Sequence, residues 1–551
     1  VTRRLTGVAV LLAGALAACA TSRAPAQAQS HPLVVATTAG AVRGAAEGEV
    51  RTFKGIPYGA PPTGEMRWRP PLPAVKWDGV REATAYGPAC MQPTPGLPSV
   101  YSQDIRPFSE DCLSLNVFAP QGAKGAPVMV WIHGGSLIAG SSKEPLYDGV
   151  RLAREGVIVV TINYRLGVLG FLAHPELSAE SPAGISGNYG LMDQVLALQW
   201  VRDNVAAFGG DPSNVTVAGE SAGGLSVMYL MASPYARGLF HRAIVQSGYM
   251  ISSPELKQAR FGAPSAEEAG AVLTRRLQLP SLRAMRAMDP QAITDAAPAN
   301  GFVSLGVVDG KVLPDQLVTI FDQGGQAPVP VLAGFNAGEA RSLRMLTPAL
   351  PGDAAAYEAA IRDRYGDMAD DFLRLYPASD MEQSILAATR DALYGWTSER
   401  LVRSQTARGL PAYLYLFDHD YPAAAAAGLR AFHASELPYM WGNRDRTPSR
   451  WPAIPDTQAE ADLSAAMIDY WLGFVRAGVP RAGEAAAWPA YGAERAYMLF
   501  DGRPQARVAL FPGMFDLHER TMCRRRASGD QPWNWNVGLW SPKLPPRAEG
   551  C

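Results

Sequence analysis

Five short apolar runs, each closed by glycine or a polar residue, constrain this chain most. They are "PVMVWIHGGS" (127–136), "GVIVVTINYRLG" (156–167), "NVTVAG" (214–219), "FHRAIVQSG" (240–248) and "VPVLAGFN" (329–336). Runs of this length without strict alternation read as strands buried on both faces, as in sheets covered by helices on each side. Between the second and third lies "LMDQVLALQWVRDNVAAF" (191–208). Its Leu191, Val195, Leu198, Trp200, Val201 and Val205 fall at helical spacing, which predicts an amphipathic helix ending near Gly209-Gly210. The alternation of strand and helix predicts an α/β layered fold with a mostly parallel sheet. Segments 254–300 and 346–410 read as mainly helical, and "LVVATTAGAVRG" (33–44) as two short strands about a glycine turn. No fixed-period repeat and no linker interrupts the chain after residue 32. With 551 residues, 48% of them hydrophobic, one large core is within reach, so 33–551 is read as a single domain.

The formal charge is −1. Apart from a cluster at Arg524 to Arg526, no basic run is present, and this leaves no electrostatic footprint for nucleic acid. Arg3 and Arg4 precede "GVAVLLAGALAA" (7–18), too short an apolar run to span a bilayer, so residues 1–28 read as a signal peptide and the start of a tether. Two cleavage readings compete. "LAAC" ending at Cys19 has the form of a lipobox whose cysteine is lipidated, and "AQA" (26–28) suits ordinary cleavage before Gln29. Both predict export, to the periplasm, a lipid-anchored membrane face or the medium. In an oxidising compartment Cys90, Cys112, Cys523 and Cys551 can form disulfides, and four cysteines allow three pairings. Proximity favours Cys90–Cys112 and Cys523–Cys551. None of the four has metal-site spacing with histidine.

"TVAGESAGGLSV" (216–227) carries Gly219-Glu220-Ser221-Ala222-Gly223, a G-x-S-x-G motif between a predicted strand and a helix-compatible run. A serine at such a turn is pushed out over the sheet edge, and side chains two positions either way would collide, which is why glycines stand there. Its hydroxyl is barely acidic, so it needs a base, and the base needs an orienting acid. The chain has seven histidines: His31, His133, His174, His241, His419, His433 and His518. An elbow of this kind expects the order serine, acid, histidine. His419, His433 and His518 all satisfy it, and spacing does not choose among them.

The chain resembles the type-B carboxylesterases, which include cholinesterases and fungal lipases of the same fold. The matching stretches are "FKGIPYGAPPTGEMRWRPP" (53–71), "SEDCLSLNVFAP" (109–120), "VWIHGGS" (130–136), "INYRLGVLGFL" (162–172), "GNYGLMDQVLALQWVRDNVAAFGGDPSNVTVAGESAGG" (187–224), "RAIVQSG" (242–248), "VLAGFNAGEA" (331–340) and "FHASELPYMWG" (432–442). The resemblance implies an α/β-hydrolase fold with large helical insertions. It implies Ser221 as nucleophile, Glu339 as triad acid and His433 as base. It places oxyanion donors at Gly135, Ser136 and Ala222, with Gly134 preceding them. Ser136 departs from the Gly or Ala usual in the family. Cys90 and Cys112 match a family disulfide, and Arg67 and Glu110 match a buried ion pair. Glu220, beside the serine, is read either as tuning the field near His433 or as structural.

The function expected is hydrolysis of a small-molecule carboxylic ester through an acyl-enzyme, chemistry that needs no metal and no organic cofactor. The competing readings are a silent binding module of the same fold, or the same machinery used as lipase, lactonase or amidase. Leu137, Tyr439 and Trp441 are read as lining the site or as core. "WNWNVGLW" (533–540) is read as a cap on the fold or a sticky surface.

Overall fold

The computed structural model describes residues 1–2 and 33–551, except 95, 97, 534 and 535. The signal-segment reading, Cys19 included, lies outside the described residues, as does Trp535 of the tryptophan-rich tail. A sheet of eleven strands organises the molecule. In chain order these are β1 (Ala45–Glu47), β2 (Val50–Pro57), β3 (Ser114–Pro120), β4 (Ala126–Ile132), β5 (Ile158–Ile162), β6 (Gly210–Glu220), β7 (Arg242–Gln246), β8 (Val331–Asn336), β9 (Ala412–Phe417), β10 (Ala496–Asp501) and β11 (Arg503–Val508). Across the sheet the order is β11-β10-β9-β8-β7-β6-β4-β5-β3-β2-β1. From β5 to β10 every pairing is parallel, while β1–β3 and β11 add antiparallel edges. The two strands expected near the N-terminus pair antiparallel, Val34–Ala36 with Ala41–Arg43, in a separate small sheet.

The five apolar runs supply β4 to β8, all central. Their period-two geometry serves two cores at once. In β4, Val128, Val130 and Ile132 enter one hydrophobic cluster while Met129 and Trp131 enter the other. In β8, Val331, Ala333 and Phe335 face the first and Leu332 the second. Helices α1 (Tyr189–Asn204) and α2 (Ala222–Ala232) cover the first face. Farther along, α3 (Met381–Arg390) and α4 (Trp396–Ala407) are joined through a π-helical turn, Asp391–Gly395. α5 (Gln458–Ala477) covers the second face, and α6 (Met514–Ser528) leads to the C-terminus.

α1 corrects the amphipathic reading. It is buried nearly all round, Asp193 and Gln194 included. These polar residues face protein partners in place of water: Arg165 makes a bidentate pair with Asp193 at 2.8 and 2.8 Å, and Gln194 donates to the Ser226 hydroxyl at 3.0 Å. The two helical stretches expected at 254–300 and 346–410 are present and form their own small cores, one around Leu273, Met285 and Ile293, the other around Tyr357, Ile361 and Phe372.

Both cysteine pairs favoured by proximity are bonded, Cys90–Cys112 and Cys523–Cys551. The tryptophan-rich tail divides. Trp533 is buried and donates to the Met250 carbonyl at 3.0 Å, whereas Trp540 is exposed. Among the described residues no helix is long and apolar enough to cross a membrane.

Candidate active site

β4 has β5 on one side and β6 on the other, so the strand order reverses there. A crevice opens outside the carboxyl ends of the strands at such a switch point. Two loops meet at it: His133 to Leu137 after β4, and the elbow after β6. Ser221 sits between β6 and α2 at φ 58°, ψ −122°, a conformation costly for a residue with a Cβ. Tight packing enforces it. A Cβ on Gly219 would collide with the Gly223 carbonyl, and one on Gly223 with the Ile132 carbonyl of β4. The Ser221 amide donates to the Gln246 carbonyl at 2.9 Å, tying the elbow to β7.

The loop after β4 is strained as well. Gly135, Ser136 and Leu137 have consecutive positive φ values of 100°, 57° and 61°. The amides of Ile138 and Ala139 both donate to the Gly135 carbonyl at 3.0 Å. A Cβ on Gly134 would lie 2.9 Å from the Glu220 carbonyl oxygen and 3.2 Å from the Ser221 Cβ, so this loop rests directly on the elbow. Among the described residues the amides of Gly135, Ser136 and Ala222 make no hydrogen bond, and Ala222 opens α2, where amides carry the positive end of the helix dipole. His133 braces the loop: its Nδ1 lies 2.9 Å from the Gly134 carbonyl, and its ring stacks on Tyr164. Burial lowers its pKa to about 4, so it is a neutral strut.

β8 leads to Glu339, the glutamate that the resemblance singles out. Glu339 lies just past the strand's end, fully buried, accepting from the Asn336 amide at 2.8 Å and the Ser247 hydroxyl at 2.6 Å. Its other oxygen makes a very short hydrogen bond with His433 Nδ1. The Gly338 amide donates to the Ala431 carbonyl at 2.7 Å, which locks the acid loop to the histidine loop. The other ring nitrogen, Nε2, lies 3.1 Å from Glu220 Oε1, so the imidazole reaches the elbow itself. The two histidines that chain order left open are engaged elsewhere: His419 with Glu460 at 2.9 Å, and His518 with Tyr376 at 2.9 Å.

Sequence reasoning missed several neighbours. Ser247 follows β7, and Glu436 stands three residues past His433. Asn336 and Gln246 donate to Glu436 at 2.6 and 2.9 Å. The Tyr101 hydroxyl donates to the His433 carbonyl at 2.9 Å, and the Tyr394 ring lies 5.2 Å from the imidazole. Only the serine after "VQ" and the glutamate in "HASE" gave a local hint; the tyrosines come from segments distant in sequence, Tyr394 from the π-helical turn.

Burial would lower the His433 pKa, but Glu220 and Glu339 outweigh it and raise it to about 9. Burial raises Glu220 to about 8 against the pull of His433, with Glu436, Glu339 and Glu144 adding repulsion. Glu436 and Glu144 are each raised to about 7, chiefly by burial. Crowded acids around one imidazole therefore hold it electrostatically and compete for its proton. Among the described residues no group of His, Cys, Asp and Glu side chains is arranged to hold a metal.

Residues 31–513 match the model of the carboxylesterase family. This chain belongs to the carboxylesterase family. It is 39% identical to the para-nitrobenzyl esterase of Bacillus subtilis over 497 residues, 87% of this chain and 98% of that protein. It is 36% identical over 500 residues to the fumonisin B1 esterase of Sphingopyxis macrogoltabida, covering 86% of this chain and 87% of that protein. A solved PNB esterase superposes with a TM-score of 0.75 at 35% identity, covering 87% of this chain and 97% of that one. A Geobacillus stearothermophilus carboxylesterase gives 0.75 at 32% identity, covering 88% and 99%. The protein is accordingly a carboxylic ester hydrolase of α/β-hydrolase fold.

One further expectation from the resemblance concerns this carboxylesterase's frame. Arg67 grips Glu110 with two nitrogens, at 2.6 and 2.7 Å, and also donates to the carbonyls of Arg286 and Met288. Trp441 packs edge-on to Trp131, and Tyr439 donates to Glu460, so both belong to the core. Leu137 is buried in the first-face cluster.

Proposed function

We propose that the carboxylesterase hydrolyses its ester through a Ser221–His433–Glu339 triad and a covalent acyl-enzyme. The observation that carries this reading is the placement of one imidazole, bonded to Glu339 through Nδ1, with Nε2 at the elbow that bears a strained serine. In the attack step His433 Nε2 takes the Ser221 proton while Oγ adds to the carbonyl carbon. The developing alkoxide accepts from the unengaged amides of Gly135, Ser136 and Ala222; preplaced donors of this kind are the largest single contribution in many such enzymes. His433 then protonates the departing alcohol. Water, deprotonated by the same nitrogen, cleaves the acyl-enzyme. Glu339, held by Asn336 and Ser247, fixes the tautomer with the proton on Nδ1. The base works only when neutral, so the proton that Glu220 and His433 compete for must rest on Glu220 or leave for solvent before attack.

Residues 33–551 act in this reading as one catalytic domain, since β1 to β11 draw one sheet from residue 45 to residue 508. Residues 1–28 direct export, with Cys19 as the lipidated residue or cleavage before Gln29, in keeping with two disulfides. An organophosphate probe tests the triad. One equivalent should inactivate the enzyme and add its mass to the peptide bearing Ser221. Labelling elsewhere, or activity surviving full labelling, would refute the assignment.

A further inference from the structure

The π-helical turn Asp391–Gly395 brings against the imidazole of His433 a side chain that the triad does not use. π-turns cost helix regularity and gather at functional sites. This one is anchored at its start: Arg390 pairs with Asp391 at 2.7 Å, Tyr376 donates to Asp391 at 3.0 Å, and Arg390 also donates to the Ala337 carbonyl at 3.1 Å, in the loop that carries Glu339. At its end, a Cβ on Gly395 would lie 2.8 Å from the Phe515 ring and 3.2 Å from that of Phe335 in β8, so the turn sits tight on the sheet. Tyr394 is thereby held over the His433 imidazole, with ring centroids 5.2 Å apart and planes 37° apart. Tyr249, three residues past β7, meets Tyr394 edge-on at 6.1 Å.

The hydroxyls of these two tyrosines differ from those of their neighbours. Tyr101, Tyr164 and Tyr229 each spend their hydroxyl on protein: the His433 carbonyl, the His133 carbonyl and Ser253. Those of Tyr394 and Tyr249 make no hydrogen bond among the described residues, and neither oxygen is sealed from solvent. The Tyr394 side chain is nonetheless 3% exposed. Burial raises both phenols, with Glu220 adding to each, so both remain protonated donors. Tyr249 is half-buried, and a phenol that no protein group engages, with its oxygen open to solvent, is free to donate to a ligand atom that displaces that solvent.

We propose that Tyr394 and Tyr249 form a polar subsite that selects esters carrying a hydrogen-bond-accepting oxygen a few bonds from the scissile carbonyl. The proposal rests on the placement of the reaction at Ser221 and His433. The accepting oxygen stands on the acyl or the alcohol side, and two matched pairs separate these cases. p-Nitrophenyl methoxyacetate against p-nitrophenyl butyrate replaces one acyl CH2 by oxygen. 2-Methoxyethyl acetate against butyl acetate does the same on the alcohol.

The test is kcat/KM for both pairs in wild type, Tyr394→Phe and Tyr249→Phe. Intrinsic reactivity of the esters, and any effect of a variant on both members alike, cancels when ratios are compared between enzymes. The expected result is a fall of roughly five- to tenfold in the ether-to-alkyl ratio of one pair in each variant, the size of one lost hydrogen bond. The pair that responds identifies the side. Ratios unchanged within twofold in both pairs, for both variants, overturn the subsite while leaving the triad intact. A wild type inert on all four esters, and unlabelled by an organophosphate, sinks the triad reading and the subsite with it.

Discussion

Two buried histidines beside tyrosines and carboxylates hang on the same π-turn, and their surroundings drive them in opposite directions. His433, under Tyr394 of the turn, is raised to about 9. His518 reaches Asp391 of the turn through Tyr376, and burial, with Arg525 adding, lowers it to about 3. Desolvation acts alike on both. The difference lies in direct partners: Glu339 and Glu220 face the two nitrogens of His433, whereas His518 faces a neutral phenol and the carboxylate beyond is already matched by Arg390. Burial alone makes a histidine an inert strut. Burial beside carboxylates that no cation matches raises its affinity for a proton instead.

The largest effect expected from breaking this contrast is at the elbow. Ser221→Ala should lower kcat/KM on p-nitrophenyl esters by about 10⁴-fold or more while leaving circular dichroism and thermal unfolding unchanged; substantial residual turnover would remove His433 from the role given to it. Glu339→Gln keeps the shape but removes the charge that fixes the Nδ1 proton, and should lower kcat by roughly 10³- to 10⁴-fold, measured under saturating substrate.

Glu220→Gln is a finer probe. Protonated His433 cannot accept the serine proton, so kcat/KM should rise as pH passes the pKa of His433. Removing a carboxylate that favours imidazolium lowers that pKa, and the midpoint of the rise should move to lower pH by about one unit. A midpoint that stays put would show that the 3.1 Å contact leaves the base unaffected. The smallest effect belongs to the other histidine. His518→Phe takes one partner from the Tyr376 hydroxyl and should cost about 1 kcal/mol in denaturant unfolding, with the pH midpoint of kcat/KM unmoved. A shifted midpoint would mean that the π-turn transmits charge between the two clusters, and the contrast would fail.

Much of the fold was legible because its signals are local. Each central strand is a contiguous apolar run, and the elbow spells its own constraint in five consecutive residues, since a Cβ at either flanking glycine has nowhere to go. The cysteine pairs were legible because short loops close easily. α1 was misread because sequence cannot tell a polar residue facing water from one, like Asp193, facing a buried arginine. The choice among His419, His433 and His518 was not available from order or spacing either, and needed likeness to a family.

By itself, then, the sequence determined a parallel sheet covered on both faces, a strained serine at the end of one strand, and a glycine loop at the end of another. Only the tertiary structure decided that these ends adjoin at the point where strand order reverses, that His433 comes to rest between Glu339 and Glu220, and that Tyr394 lies across it. The reason is physical. Backbone strain and hydrophobic period are carried by neighbours in the chain, whereas a proton's affinity for an imidazole is set by charges within a few ångströms, and those arrive from loops far apart in sequence.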